Sequence, residues 1–343
     1  MSGADFYALS GSEQAERLGQ LAQEALRHWD GGWRNPKLIK HRENAVFAIE
    51  GPGGERAVLR IHRHGYHDDA ALASELQWIR ALDEGGINVP SVIPSRDGAH
   101  FVHVSHPLVP ERRQVDILGW VEGRPIGSVE DIESQDGAIL TDIYLRAGAA
   151  AAHVHALSEA WTLPDGFSRH AWDRDGLVGP SPFWGRFLDL PILLPAQREL
   201  LERACAAAAA ELDRIGTGSD VYGLIHADFV PENIFVQGDD VALIDFDDAG
   251  FGWHMFELAT ALFFLQGHDA FPAISDALFE GYEQRRPGKI DRSQLPLFLF
   301  LRGTTYLGWI HTRSETDSAK EQAELLVAIA VGLAENYLGQ MEG

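Results

Sequence analysis

The densest concentration of chemically useful side chains lies in Leu224-Ile225-His226-Ala227-Asp228-Phe229-Val230-Pro231-Glu232-Asn233, followed by Leu243-Ile244-Asp245-Phe246-Asp247-Asp248. An Asp, an Asn and a second Asp stand on two turns, with short apolar runs at 221–225, 233–237 and 240–245 and a Gly238-Asp239 turn between the last two. That pattern predicts strands joined by a hairpin, with the polar residues at strand ends. Phosphoryl transfer needs such a set. Little covalent work falls to the protein, so a site must orient an acceptor hydroxyl and hold Mg²⁺ against phosphate oxygens. Asn233 and Asp245 offer the oxygen ligands that a hard cation takes, and Asp228 offers a base. Taken singly, each residue reads as ordinary turn chemistry; the array together does not.

These turns need a scaffold, and the chain is long enough to supply one. At 343 residues it suggests about two units. Ser10 and Glu13 have capping-box spacing ahead of a helix carrying Leu18, Leu21, Ala22, Ala25 and Leu26. Strands are predicted at 38–40, 45–50 and 56–63, with Gly51-Pro52-Gly53-Gly54 as a hairpin loop. A helix over 68–83 follows, stopped by Gly85-Gly86, and strands resume at 99–105 and 113–120. From Asp136 the pattern turns helical, at 138–160, 196–215, 253–266, 270–284, 294–312 and 318–338. A sheet followed by helices reads as α+β, divided into 1–120 and 121–343 with a hinge near Val121–Pro125.

Composition narrows the function. The formal net charge is −23, from 28 Lys and Arg against 51 Asp and Glu, which argues against nucleic-acid partners. Cys205 is the only cysteine, so no intrachain disulfide forms. No leader pattern and no long apolar run appears, which predicts a cytoplasmic protein without membrane association. His62, His64 and His67 invite a zinc reading, but no HExxH motif or cysteine partner accompanies them. The oligomeric state is left open.

The motifs His226-Ala227-Asp228 with Asn233, then Ile244-Asp245-Phe246, resemble those of the aminoglycoside phosphotransferase and choline kinase superfamily, which shares the bilobal protein-kinase fold. Arg42-Glu43-Asn44-Ala45-Val46-Phe47, Val58-Leu59-Arg60-Ile61, Ser74-Glu75-Leu76 and Leu118-Gly119-Trp120-Val121-Glu122-Gly123 are similar to the branch containing homoserine-kinase-like enzymes and the bacterial stress-response kinase. The resemblance runs from about residue 38 to 312. It implies a small antiparallel-sheet lobe and a larger helical lobe. It further implies ATP and Mg²⁺ as cofactors, Asp228 as the catalytic residue and Asn233 with Asp245 as metal ligands. Asn44, Arg60, Glu75, Gly119, Trp120 and Val121 become the nucleotide-binding set. The expected reaction is transfer of a γ-phosphoryl group to a hydroxyl of a small molecule: an amino alcohol, a homoserine-like amino acid or an aminoglycoside-like compound. The alternatives are a serine/threonine protein kinase and a nucleotide-binding regulatory module.

Several positions depart from that pattern. Arg60 stands where the fold places a lysine, and the forked guanidinium is not interchangeable with an ammonium. Ala227 replaces a glycine, which an ordinary backbone conformation would tolerate. Glu257 replaces an Asp that anchors the catalytic loop, and its longer side chain is expected to reach. No GxGxxG is present, so the nucleotide cradle falls to the backbone around Arg42–Ala45, with Asn44 supporting the turn. Acceptor recognition is expected from residues 167–189, with Trp172, Asp173, Asp175, Phe183 and Trp184, or from Arg302, Tyr306 and Trp309.

Overall fold

The computed structural model describes residues 4–128 and 131–341. Helices are α1 (Ala4–Tyr7), α2 (Gly11–Ala25), α3 (Asp69–Glu84), α4 (Gly137–Ala160), α5 (Arg174–Val178), α6 (Pro195–Ile215), α7 (His254–Leu262), α8 (Phe271–Arg285), α9 (Leu295–Thr312) and α10 (Asp317–Met341). Strands are β1 (Arg34–His41), β2 (Ala45–Glu50), β3 (Arg56–Ile61), β4 (Phe101–His106), β5 (Val109–Gly119), β6 (Arg124–Pro125), β7 (Ala171–Trp172), β8 (Tyr222–Ile225), β9 (Ile234–Gln237), β10 (Asp240–Leu243) and β11 (Gly250–Trp253). The class is α+β. The chain divides into two compact units, the first running through Glu122 and including 162–169 and 242–244.

The first unit is built on an antiparallel sheet in the order β1-β2-β3-β5-β4. Strand side chains alternate between faces, and the sequence uses both. Ala45, Phe47 and Ile49 of β2, Ala57, Leu59 and Ile61 of β3, and Val115 and Ile117 of β5 bury against Leu18, Leu21, Ala22 and Ala25 of α2. The capping box at Ser10 and Glu13 starts that helix. The alternate residues Arg60 and Asp116, paired across β3 and β5, lie on the other face. Helix α3 is capped by Asp68, which accepts the Ala71 N–H at 2.8 Å, and buries Leu72, Glu75, Leu76, Ile79 and Leu82.

The second unit is mainly helical. Helices α4 and α8 approach closely through two glycines: a Cβ at Gly148 would strike the Leu278 carbonyl oxygen, and one at Gly281 the Leu145 carbonyl oxygen. Among the described residues two small sheets are also formed, β7-β11-β8 within this unit and β10-β9-β6, of which β10 includes residues 242–243 of the first. Strands β6 and β7, of two residues each, are too short to be visible as periodic runs, and β11, Gly250-Phe251-Gly252-Trp253, has glycine at alternate positions. Strand β8 pairs antiparallel with β11, Ile225 opposite Gly250 and Tyr222 opposite Trp253. Buried Cys205 has its thiol pushed up to about 12 by burial, which makes it unreactive. Among the described residues no helix is long and apolar enough to cross a membrane.

Candidate active site

Strand β8 delivers the chain into the His226–Asn233 turn. The backbone N–H groups of His226 and Ala227 donate to the two carboxylate oxygens of Glu257, at 2.8 and 2.7 Å. Glu257 lies fully buried in α7, and burial pushes its carboxyl above the usual range, with the His226 ring and these two N–H donors pulling the other way. The longer side chain does reach. Ala227 is a correction to the expected ordinary backbone: its φ of 64° places it in the left-handed region. That conformation costs a non-glycine residue about 1–2 kcal/mol, and the paired bonds to Glu257 hold it there.

This local twist presents Asp228, whose carboxylate is gripped at both oxygens. Asn233 Nδ2 donates to Oδ2 at 2.8 Å and to the Asp228 carbonyl at 3.0 Å. Arg302 Nη2 donates to Oδ1 at 2.8 Å, and its Nη1 to the Ala227 carbonyl at 3.2 Å. Arg302 is wholly buried in α9, bonded to the Tyr306 hydroxyl at 2.9 Å, its guanidinium carbon 4.5 Å from the Tyr306 ring centre and 5.4 Å from that of Trp184. Burial disfavours its charge, but Tyr306 and Asp228 together keep its pKa above the usual arginine value. Arg302, a candidate for acceptor recognition in the sequence, uses its two Nη groups on Asp228, the Ala227 carbonyl and Tyr306, while its buried Nε has no hydrogen-bond partner.

Asp245 follows β10 and is also left-handed, with φ 66°. The His226 and Phe246 rings lie 4.5 Å apart, so the two polar turns share an aromatic contact. Trp172 Nε1 donates to the Asp248 carbonyl at 2.9 Å, fixing the far side of the second turn. Because Asn233 spends its amide nitrogen on Asp228, its carbonyl oxygen is the atom it can offer to an ion. With the Asp245 carboxylate this makes an all-oxygen donor set, which fits Mg²⁺.

In the first unit Arg60 is the centre of a buried charge network. Its Nε and Nη2 form a bidentate pair with Asp116 at 2.9 and 2.8 Å, and its Nη1 meets Glu75 at 2.9 Å. Arg169 approaches the other Glu75 oxygen at 3.6 Å, and His62 Nε2 meets Asp116 at 2.7 Å. Burial raises the Asp116 carboxyl, yet Arg60 and His62 outweigh it and hold it at about 2. The same balance, with Arg60 and Arg169 as the cations, lowers Glu75. Asn44 is buried, and its Oδ1 accepts the Arg63 N–H at 3.1 Å, tying the β1–β2 turn to the end of β3. Gly119 donates its N–H to the Ser91 carbonyl at 2.7 Å, and Arg56 stacks 4.4 Å above the Trp120 ring. Val121 lies beside them, half-buried.

Asp116 and Arg169 escaped the sequence reading. The signal for Asp116 was a lone carboxylate within Val115-Asp116-Ile117-Leu118, a charge that must find a partner if the strand is buried. The aromatic segment expected to recognise an acceptor is largely structural: Trp172 is fully buried, Asp173 caps α5, Asp175 pairs with Arg174 at 2.7 Å, and Phe183 stacks on His170 at 4.0 Å.

Known proteins carry the same framework. The microcompartment-associated aminopropanol kinase structure is 32% identical, with a TM-score of 0.81 over 94% of this chain and 98% of that one. An amicoumacin kinase solved with AMP-PNP, Ca²⁺ and Ami shares the fold at 19% identity and a TM-score of 0.73, covering 95% of each chain. Homoserine kinase of Gluconobacter oxydans (strain 621H) is 25% identical over 86% of this chain and 91% of its own length. The phosphotransferase enzyme family model matches residues 35–295, taking in β2 and Arg60 through Asp228, Asn233 and Asp245 to the start of α9. The chain is a phosphotransferase and belongs to that family.

Proposed function

We propose that this protein transfers the γ-phosphoryl group of ATP to a hydroxyl of a small amine-bearing molecule, an amino alcohol or a hydroxylated amino acid. The observation that carries the reading is the Asp228 carboxylate, held by Asn233 and Arg302 on a turn that Glu257 anchors. Asp228 accepts the hydroxyl proton as the acceptor oxygen bonds to the γ-phosphorus and the bond to the β-phosphate bridging oxygen breaks. Asn233 and Asp245 are the residues that would hold Mg²⁺, which when bound neutralises phosphate charge. Asn44, Arg60, Glu75, Gly119, Trp120 and Val121 serve the nucleotide. Within that set Arg60 spends three donors on Asp116 and Glu75, so its first task is to fix β3 against α3. An amine-bearing acceptor is supported by aminopropanol and homoserine in the names of the similar kinases. A chain of net charge −23 also favours cationic partners.

The test is ATP consumption with Mg²⁺, alone, with amino alcohols and hydroxylated amino acids, and with generic protein substrates. Stimulation by one small molecule is expected; phosphorylation of protein alone would overturn the acceptor class. Asp228→Asn is expected to lower turnover by about 10²- to 10⁴-fold, the usual worth of a general base, with nucleotide affinity nearly unchanged. Near-full activity in that variant would remove Asp228 from its role.

A further inference from the structure

The second unit buries a row of polar side chains that phosphoryl transfer, as described above, leaves unused. His155 of α4 and Tyr282 of α8 are fully buried. The Tyr282 hydroxyl lies 2.9 Å from His155 Nδ1. His155 Nε2 stands 3.5 Å from Glu257 Oε1, the oxygen that accepts the His226 N–H at 2.8 Å. The glycine crossing of α4 and α8 sets these rings together. His155 follows Gly148 by about two helical turns on the same face, and Tyr282 follows Gly281 directly, so the two ring centres come within 5.6 Å. His254, at the start of α7, stacks on His155 at 4.3 Å and limits its rotation.

Burial, reinforced by the nearby Arg286 guanidinium, holds His155 neutral, its pKa well below the usual histidine value. One ring nitrogen therefore donates and the other accepts. A lone pair on Nε2 would be repelled by the Glu257 carboxylate and would leave the Tyr282 hydroxyl hydrogen without an acceptor on this ring. The other tautomer serves both neighbours: Tyr282 O–H donates to Nδ1, and Nε2–H turns its positive end toward Glu257. At 3.5 Å that contact is longer than a full hydrogen bond, yet a dipole beside a buried carboxylate acts through a low effective dielectric. A glutamate has one more torsion to fix than an aspartate, and the ring beside Oε1 helps to fix it.

We propose that His155 and Tyr282 are positioning residues for phosphoryl transfer: they orient the Glu257 carboxylate, which holds the His226–Ala227 backbone and so sets Asp228. The inference rests on the role of Asp228 given above and not on the identity of the acceptor. The test is amide hydrogen exchange of the full chain, read by mass spectrometry over residues 224–233, with turnover measured in parallel. His155→Leu removes both ring nitrogens, Tyr282→Phe removes only the hydroxyl, and His155→Gln leaves an amide N–H to face Glu257. Exchange at the turn is expected to quicken about tenfold in His155→Leu, in proportion to one lost charge-assisted contact. A smaller rise is expected in Tyr282→Phe, and a return toward wild type in His155→Gln. The kcat for ATP should fall in the same order with KM nearly unchanged. Tyr282→Phe and His155→Gln alter little volume and carry the test if the leucine variant does not fold. Exchange in α10 is the control for general loss of stability. The exchange readout needs no acceptor, so failure of the acceptor class would appear as a wild type that no small molecule stimulates and would leave this result standing. Wild-type exchange at the turn in every variant, a rise that α10 shares in full, equal exchange in the Leu and Gln variants, or unchanged kcat would each overturn the proposal.

Discussion

Replacing Glu257 with Gln removes one atom's worth of chemistry and almost no volume, which makes it a sharp probe of the catalytic turn. Glu257 serves two backbone donors at once, His226 at 2.8 Å and Ala227 at 2.7 Å. A glutamine offers one carbonyl oxygen and one NH₂ group, so one of the two N–H groups must face another donor. A bond to a charged acceptor is worth about 1.5–3 kcal/mol, and stranding its buried donor costs about 1–3 kcal/mol. Burial already raises the Glu257 carboxyl, so the neutral amide recovers part of the desolvation penalty. The net expectation is about 3 kcal/mol of lost stability, read as a lower urea midpoint with an unchanged slope. Turnover should fall further than stability alone explains, because the freed turn no longer holds Ala227 at φ 64° and Asp228 loses its bearing. Ala227→Gly in the same background should return about 1 kcal/mol, since glycine occupies the left-handed region without that strain. A Glu257→Gln protein within 0.5 kcal/mol of wild type and fully active would refute this account of the turn.

Other outcomes test the scaffold and its charges. Gly148→Ala drives a methyl into the Leu278 carbonyl where α4 meets α8 and should cost about 3 kcal/mol in chemical unfolding; a neutral result would mean that the helices separate freely. Arg60→Met leaves Glu75 and Asp116 buried without their main cation and should cost about 3–5 kcal/mol, whereas Arg60→Lys should cost less; equal losses in the two variants would show that charge contributes nothing there. The stacked pair His155 and His254 is held neutral by burial, each pKa below the usual histidine value. Because the unfolded chain binds more protons, each contributes stability present above about pH 6.5 and lost on acidification at about 1.4 kcal/mol per pH unit. Glu257, raised in the fold, works in the opposite direction above its ordinary value of 4.5. Acidification also relieves general self-repulsion, so the measurement is the difference in slope between wild type and His254→Gln from pH 7.5 to 5.5. Identical slopes would refute the assignment. Below pH 3.8, protonation of Asp116, whose folded value is about 2, should remove a further contribution of about 2 kcal/mol.

Most of the framework was legible because its signals are local. The capping box at Ser10, the alternation of Ala45, Phe47 and Ile49, and the glycine stop after α3 depend on neighbours a few residues away. The polar residues of the two turns were legible for the same reason. The pairings that give the site its geometry were not, because they join distant segments: Arg302 to Asp228, Arg169 to Glu75, Asp116 to Arg60. Each nevertheless left half a signal. Arg302 interrupts Leu295-Pro296-Leu297-Phe298-Leu299-Phe300-Leu301, and Asp116 interrupts a buried strand. A buried charge must be met by another, so sequence can announce that a partner exists without saying which. The Ala227 conformation left its signal only in the resemblance, whose pattern has at that position a glycine, the residue that takes a positive φ without strain.

The substitution of arginine for lysine at position 60 becomes intelligible only with both partners in view. A lysine presents one compact ammonium, which suits a single helix carboxylate and an exposed phosphate. Here β5 contributes a second carboxylate directly across from β3, and a planar fork satisfies Asp116 with two parallel bonds while its remaining arm reaches Glu75. The arginine and Asp116 are therefore one device: removing the aspartate should take away much of the advantage of arginine at position 60. In an Asp116→Asn background the stability penalty of Arg60→Lys should shrink by at least half, measured as a double-mutant cycle of urea midpoints. An unchanged penalty would mean that the two side chains act independently and that the fork at position 60 answers to Glu75 alone.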